Sequence, residues 1–220
     1  FMAPFASLPH VLEAVRRAED KAGKRIILVD TPILNVDDNA DARREAEATV
    51  RASAALGATF CLIHHPSAEQ LVNQTRRIID RLDDYTAMIR DAGMIPGLSA
   101  HMPELILYSD ANGYDVETYI QIYNCLGFLM QIEIESVARI IHAAKKPVMT
   151  IKPMAAGRTT PFVGLNFSFA TLRDCDMVTV GCLNEDEVRE DIEIARAALE
   201  RRIPTLAARS SPNVKQDVLK

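Results

Sequence analysis

Residues that could do chemistry stand where short apolar runs of the chain end. Asp30 closes one such run, His64 and His65 follow another, and Lys152 follows a third. A carboxylate, an imidazole and an amine brought together could transfer protons, bind an anion, or form a Schiff base between the amine and a carbonyl compound. Because burying an ammonium group is unfavourable unless it is paired, Lys152 either serves the site or forms an ion pair with Asp30 or Glu117.

Candidate binding residues lie at or just beyond the ends of further apolar runs. They are Ser99, His101, Gln121, Asn124, Gly157, Arg158 and Gly181. Arg158 could anchor an anion through two parallel N–H bonds, helped by the backbone amides beside Gly157. Acids at positions 185–187 follow Gly181 and oppose an anion there, so the loop at Gly157 is the stronger candidate. For His65 we expect an ordinary role, as a neutral histidine bonded to a loop carbonyl.

The elements that must position these residues alternate between apolar strands and longer helical segments. The strands are predicted at 25–30, 59–63, 94–98, 117–123, 147–152 and 177–180, and the helices near 8–22, 40–56, 67–93, 103–109, 132–144 and 185–201. The strands are apolar without alternation, as in a parallel sheet that is buried on both faces. The sequence therefore predicts a parallel α/β domain.

The distribution of polar residues favours a barrel over a doubly wound sheet. In a (β/α)₈ barrel the carboxyl ends of all strands meet at one mouth, whereas a doubly wound sheet concentrates its site at one switch point. Nearly every predicted strand here ends in a polar cluster. We expect a TIM-type (β/α)₈ parallel barrel whose N-terminal strands are missing or atypical, because six strands are predicted where eight are needed. One domain should cover residues 1–220, with a loosely held tail from residue 203.

Composition narrows the classes of partner. The net charge is −5, aromatic residues make up 5% and Trp is absent, which argues against nucleic-acid binding. No apolar run approaches the roughly 20 residues that span a membrane. The four cysteines are widely spaced, as in a cytoplasmic protein with reduced thiols. A small-molecule ligand is therefore the expected partner.

Five segments resemble strand ends of the aldo/keto reductase family, in that family's order. LIHH (62–65) resembles the end of strand 4, which supplies a catalytic histidine, and GLSAHMPE (97–104) resembles strand 5. QIYN (121–124) resembles strand 6, IKPMAAGR (151–158) strand 7, and VTVGC (178–182) strand 8. The resemblance covers the chain from about residue 25 to residue 199. It implies a TIM barrel with a ligand at its mouth and NADP as the cofactor to test.

Part of the family's catalytic tetrad has no counterpart in this sequence. The strand that would end in the catalytic lysine ends instead in Asp30. No D-x-A-x-x-Y-G segment, which carries the partner aspartate and tyrosine, occurs; it would precede Phe1 together with strands 1 and 2. His64 alone matches the tetrad, so the resemblance implies the fold and leaves carbonyl reduction open.

These observations leave three hypotheses. The first is an aldo/keto reductase-like barrel that binds a small anionic or phosphorylated ligand at its mouth, with His64, Asp30 and Lys152 as the catalytic candidates. The second is a non-redox barrel enzyme, either a Schiff-base lyase acting through Lys152 or a metal-assisted enzyme using Asp30, His64 and His101. The third is a catalytically inactive binding or assembly module. We also expect a homo-oligomer, because an open sheet edge favours association.

Overall fold

Seven parallel strands form the central sheet in a computed structural model, which describes residues 1–5 and 8–206. The strands of the chain are β1 (Met2–Ala3), β2 (Val29–Asp30), β3 (Phe60–Ile63), β4 (Val72–Asn73), β5 (Ile78–Ile79), β6 (Ile95–Ala100), β7 (Thr118–Ile122), β8 (Val148–Ile151) and β9 (Met177–Thr179). The main sheet runs β1-β2-β3-β6-β7-β8-β9, and β4 pairs with β5 as a separate antiparallel hairpin.

Helices connect the strands and cover the outside of the sheet. They are α1 (Pro9–Ala22), α2 (Ala40–Ala55), α3 (His65–Gln70), α4 (Leu82–Asp91), α5 (Glu104–Asn112), α6 (Ile134–Ala143), α7 (Pro161–Thr171) and α8 (Glu185–Glu200). The strand–helix alternation and the parallel order give a TIM-like, nearly closed barrel, which confirms the predicted fold class. None of the described helices is long and apolar enough to cross a membrane.

Two apolar layers hold the barrel together. The layer inside the barrel consists of side chains from four different strands that pack on one another, namely Val29, Leu62, Ile120 and Met149. The larger layer lies between the strands and the helices and includes Cys61 of β3, the neighbour of Leu62. Alternate residues along a strand therefore serve opposite layers, as strand geometry requires.

A glycine inside the barrel permits this packing. A Cβ atom at Gly97 would lie 2.7 Å from Leu62 Cγ and 2.7 Å from the Thr118 backbone oxygen. Only a residue without a side chain can stand at this point of β6 without moving both neighbours. Gly97 thus leaves room on β6 for the Leu62 side chain of β3 and the Thr118 backbone of β7.

The barrel is not closed between its first and last strands. Within the described residues β1 pairs with β2, β9 pairs with β8, and no ladder joins β1 to β9. An apolar cleft of about 1210 Å³ opens between these edges and extends to the inner strands. Its lining includes Met2, Met149, Met177 and Ile192 of α8. The prediction of atypical N-terminal strands matches this geometry, because β1 has only two residues.

The long helix predicted over 67–93 is wrong. The chain there forms α3, the β4–β5 hairpin and α4 in succession. Arg77 and Arg81 adopt left-handed backbone angles, with φ of 55° and 57°, which no continuous α-helix accommodates. The apolar residues that suggest one helix are buried in the core, but they reach it from separate elements, as Leu71 and Leu82 do.

Other differences from the sequence prediction concern boundaries and short elements. Of the strand expected over 25–30, only residues 29 and 30 form β2. The sequence pattern predicts neither β1 nor α7. Two-residue strands carry no periodicity, so the sequence gives no signal for β1. The expected tail begins within the described part, but residues 207–220 lie outside it.

Candidate functional site at the barrel mouth

Three histidines meet at the carboxyl ends of β3 and β6. His64 follows β3 and caps α3, His65 is the first residue of α3, and His101 follows β6. The ring centroids of His64 and His65 are 4.7 Å apart, and those of His65 and His101 are 4.0 Å apart in a stacked arrangement. Parallel neighbouring strands bring these residues together, because their carboxyl ends lie side by side.

Two of the three imidazoles, those of His64 and His101, have lowered pKa values. Burial lowers the pKa of His64, and the nearby His65 and His101 lower it further. Burial also lowers the pKa of His101, with a further contribution from His65 and a smaller one from Lys152. The buried Nδ1 of His64 has no hydrogen-bond partner among the described residues. An imidazole with an unused ring nitrogen can accept a proton from a ligand or donate a hydrogen bond to it.

Glu69 and Gln121 brace the segment that carries His101. Glu69 Oε1 accepts hydrogen bonds from the backbone nitrogens of His101, at 2.6 Å, and of Met102, at 3.1 Å. Gln121 is fully buried, and its Nε2 donates to the His101 backbone oxygen at 3.2 Å. The Gln121 Oε1 atom is buried without a partner in the described part of the chain. His101 therefore sits on a backbone held from two sides.

Lys152 stands at the same mouth in a strained conformation. It follows β8 with φ of 61°, in the left-handed region that a non-glycine residue occupies at a cost on the order of 1–3 kcal/mol. The ammonium group is close enough to His101 to lower the pKa of that imidazole. Neither alternative ion pair forms. Glu117 binds Arg90 and Lys146 at the amino ends of the strands, and Asp30 accepts from the backbone nitrogens of Phe5 and Thr31.

Asp30 lies apart from the histidines. Val29 points into the barrel, so its neighbour Asp30 faces the outer layer. There Oδ1 accepts hydrogen bonds from the backbone nitrogens of Phe5 and Thr31, both at 3.0 Å, while Oδ2 is buried without a partner among the described residues. Burial raises the pKa of the Cys61 thiol to about 12, and the Asp30 carboxylate contributes to that rise. The contacts of Asp30 thus brace the start of the chain.

The remaining candidates divide between the mouth and its loops. Ser99 is nearly buried in β6 and lies on the same strand face as Gly97. Asn124 is fully buried, and its side chain binds the backbone of Leu126 and Phe128, which shapes the loop after β7. Gly181 follows β9 and lines the cleft between β1 and β9.

The loop after β8 is compact and already engages its arginine. The Arg158 guanidinium lies 3.8 Å from the centroid of the Phe128 ring, and its Nη1 donates to the Ala155 backbone oxygen at 3.2 Å. Ala155, Ala156 and Gly157 all have positive φ. A Cβ atom at Gly157 would meet nothing within 4 Å, so this side of the loop is open.

Two residues of the cluster were not recognised from the sequence. The sequence predicts an ordinary role for His65 and indicates none for Glu69, and it predicts a helix that begins only at residue 67. In the structure α3 begins at His65, which puts His65 and Glu69 four residues apart on one helix. The dipeptide His64-His65 before Pro66 was the available signal, since proline is favoured in the first helical turn.

Comparisons with known proteins support the architecture. No protein-family model and no curated protein matches the chain. Two solved structures, each described as a "putative aldo-keto reductase" from Pseudomonas aeruginosa, are similar to it. One has 16% identity and a TM-score of 0.56, covering 79% of this chain and 67% of that chain. The other has 15% identity and a TM-score of 0.60, covering 86% and 73%.

The chain has an aldo-keto reductase-like fold. Its residues do not fit the phosphate groups of NADP at the start of α8, however. The first turn of α8 carries Glu185, Asp186 and Glu187, whose charges oppose a phosphate. Two amide nitrogens there are already used, since Glu187 N donates to Asn184 Oδ1 at 2.9 Å and Leu183 N to Glu187 Oε2 at 2.8 Å.

Proposed function

We propose that this chain binds a small anionic molecule at the barrel mouth, with Lys152 as the charged anchor and His64 as the proton acceptor or donor. The observation that carries the proposal is Lys152, a strained cation beside His101 that has no ion pair within the described residues. Within the described part of the chain no salt bridge gives this ammonium a counter-charge, and an anionic group would supply one. The candidate ligands include phosphorylated compounds and small carboxylates.

Other groups at the mouth suit the same ligand. His64 offers an unused buried nitrogen, and Ser99 offers a hydroxyl on the inner face of β6. Gly157 leaves its side of the loop open. Arg158 could turn from the Phe128 ring to meet the anion, because a cation–π contact of an exposed arginine is worth only about 0.5–1 kcal/mol.

The test is binding of inorganic phosphate and of small carboxylates, measured by calorimetry. We expect Lys152→Met to weaken binding at least about tenfold, since a charge-assisted hydrogen bond contributes roughly 1.5–3 kcal/mol. Lys24→Met, at an exposed position, is the matched control and should bind like the parent. Equal binding by the parent and Lys152→Met would contradict the proposal.

A Schiff-base lyase is the second candidate, and the same lysine supports it. Its amine stands at the mouth beside His101, and a lysine amine in its unprotonated form is the nucleophile for a carbonyl group. Borohydride reduction in the presence of a small carbonyl acid would then attach the ligand to the parent but not to Lys152→Met. Trapping on both proteins would exclude Lys152 as the nucleophile. Fluorescence titration with NADPH tests the redox alternative, for which we expect no binding.

We also propose a homo-oligomer in the cytoplasm. The edges of β1 and β9 have no pairing strand among residues 1–5 and 8–206, and they flank an apolar cleft. Ile27 and Ile192 in this cleft are more than half exposed. Association would cover this surface. All four cysteines are free, as in a reducing compartment. Light scattering coupled to gel filtration should give a mass above that of one chain, and Ile192→Asp should lower it; a monomeric parent would refute the oligomer.

A further inference from the structure

His65, Glu69 and His101 form a cluster with the composition of a metal site. Each offers one ligand atom, and these three atoms lie within 4.8 Å of one another. Helix α3 supplies His65 and Glu69 from successive turns, and the end of β6 supplies His101. All three side chains are partly buried, so the cluster is neither a surface coincidence nor sealed from solvent.

The donor set matches a divalent transition metal. Two imidazoles and one carboxylate bind zinc, iron(II), manganese(II) and cobalt(II) and leave further positions open. Imidazole binds a metal only through an unprotonated nitrogen. Magnesium and calcium, which prefer oxygen ligands, are disfavoured here.

The surroundings of the cluster already have the features of an outer ligand shell. Both hydrogen bonds to Glu69 are accepted by Oε1, so in the described part of the chain no bond occupies Oε2. The same bonds fix the backbone of His101, and Gln121 holds its carbonyl oxygen from the other side. Such bonds orient metal ligands, and losing one typically weakens metal binding about 10–100-fold.

The two imidazoles require one adjustment to bind an ion. The His65 and His101 rings are stacked with an angle of 16° between their planes, whereas metal binding directs a lone pair of each ring toward one point. Rotation about the terminal side-chain bond of histidine meets broad energy wells, so the rings can turn without movement of the braced backbone.

We infer that His65, Glu69 and His101 bind a divalent transition-metal ion at the barrel mouth, with His65 and Glu69 coordinating from successive turns of α3. Asp30 takes no part, because its side chain faces the outer layer, where Oδ1 accepts from the backbone nitrogens of Phe5 and Thr31. The ion would sit on the side of the mouth where Lys152 approaches His101. This inference stands independently of the proposed anionic ligand.

The test is titration of the chelator-treated full chain with cobalt(II), followed by visible absorption and then by displacement with zinc. The expected result is a ligand-field spectrum that saturates at one ion per chain and disappears on adding zinc. Absorption from thiolate-to-cobalt charge transfer should be absent. A strong charge-transfer band would assign the ion to a cysteine, such as the exposed Cys175, and would overturn the proposal, as would absence of saturable binding.

Substitutions identify the ligands. His65→Asn and His101→Asn should each weaken cobalt binding by more than the roughly 100-fold attributed to outer-shell groups. His10→Asn, at an exposed position in α1, is the matched control and should bind like the parent. Glu69→Gln keeps an oxygen for the backbone bonds of His101 and removes the charge, so it should fold normally and bind cobalt weakly. Parent-like binding by folded Glu69→Gln and His65→Asn would refute the site.

Discussion

Replacing Gly164 with alanine tests how closely α7 is fitted to the loop that carries Lys152. Gly164 lies inside α7, and a Cβ atom there would be 2.5 Å from the Pro153 backbone oxygen and 3.0 Å from its carbonyl carbon. Both atoms belong to the backbone just after Lys152. Relief of the contact therefore requires either the helix or the loop to move.

Two effects of opposite sign decide how much Gly164→Ala changes the free energy of unfolding. Alanine in a helix interior is favoured over glycine by about 1 kcal/mol. Overpacking of a well-filled region costs about 1–3 kcal/mol, and the clash here is with backbone rather than with a flexible side chain. The expected net result is a destabilisation of up to about 2 kcal/mol, opposite to what helix propensity alone predicts. Anion binding through Lys152 should weaken as well, because its loop is displaced.

Urea unfolding followed by circular dichroism measures this change. Gly181→Ala is the control, because nothing lies within 4 Å of a Cβ atom there and its backbone is not left-handed. That variant should be unchanged or stabilised by up to about 1 kcal/mol, through the lower entropy of its unfolded chain. If Gly164→Ala unfolds at the same or a higher urea concentration than the parent, the close approach of α7 to the loop is refuted.

Three further predictions concern charge, pH and thiol chemistry. Arg173→Met should lower the free energy of unfolding by about 3–5 kcal/mol, because it leaves the fully buried carboxylate of Asp176 without its guanidinium; an unchanged urea midpoint would contradict this. The pKa values of His64 and His101 are lowered on folding, so the unfolded chain binds more protons below about pH 6.5. The free energy of unfolding should be highest above that pH and fall as the solution is acidified through the lowered pKa values. The variant that carries both His64→Gln and His101→Gln should show a weaker dependence of this free energy on pH. A thiol reagent should modify exposed Cys175 first and buried Cys61 only on unfolding; prompt labelling of Cys61 would show that the outer layer opens in the native state.

Most of the barrel was predictable because its signals are local. Apolar runs followed by polar residues predict five of the main strands to within a few residues, and the helix predicted near 185–201 forms as α8. The segment over 67–93 was not predictable in this way. Its apolar residues are buried by three different elements, and burial alone does not distinguish a helix from a hairpin.

The candidate site was predicted in part. The sequence indicated His64, His101 and Lys152 at the mouth, and the structure brings all three to the carboxyl ends of β3, β6 and β8. It also indicated Asp30, which the alternation of β2 turns to the outer layer. That outcome depends on a register of one residue, which a continuous apolar run does not specify.

The sequence by itself determined the parallel barrel, the mouth at which polar residues gather and the residue types available there, because these follow from apolar runs and from where each run stops. Only the tertiary structure decided which of those residues meet. Three contacts between distant segments show this: His65 stacks on His101, Glu69 approaches both histidines, and Glu117 pairs with Arg90 and Lys146 instead of with Lys152. Such contacts depend on strand register and on where a helix begins, and a shift of one residue in either would separate the groups.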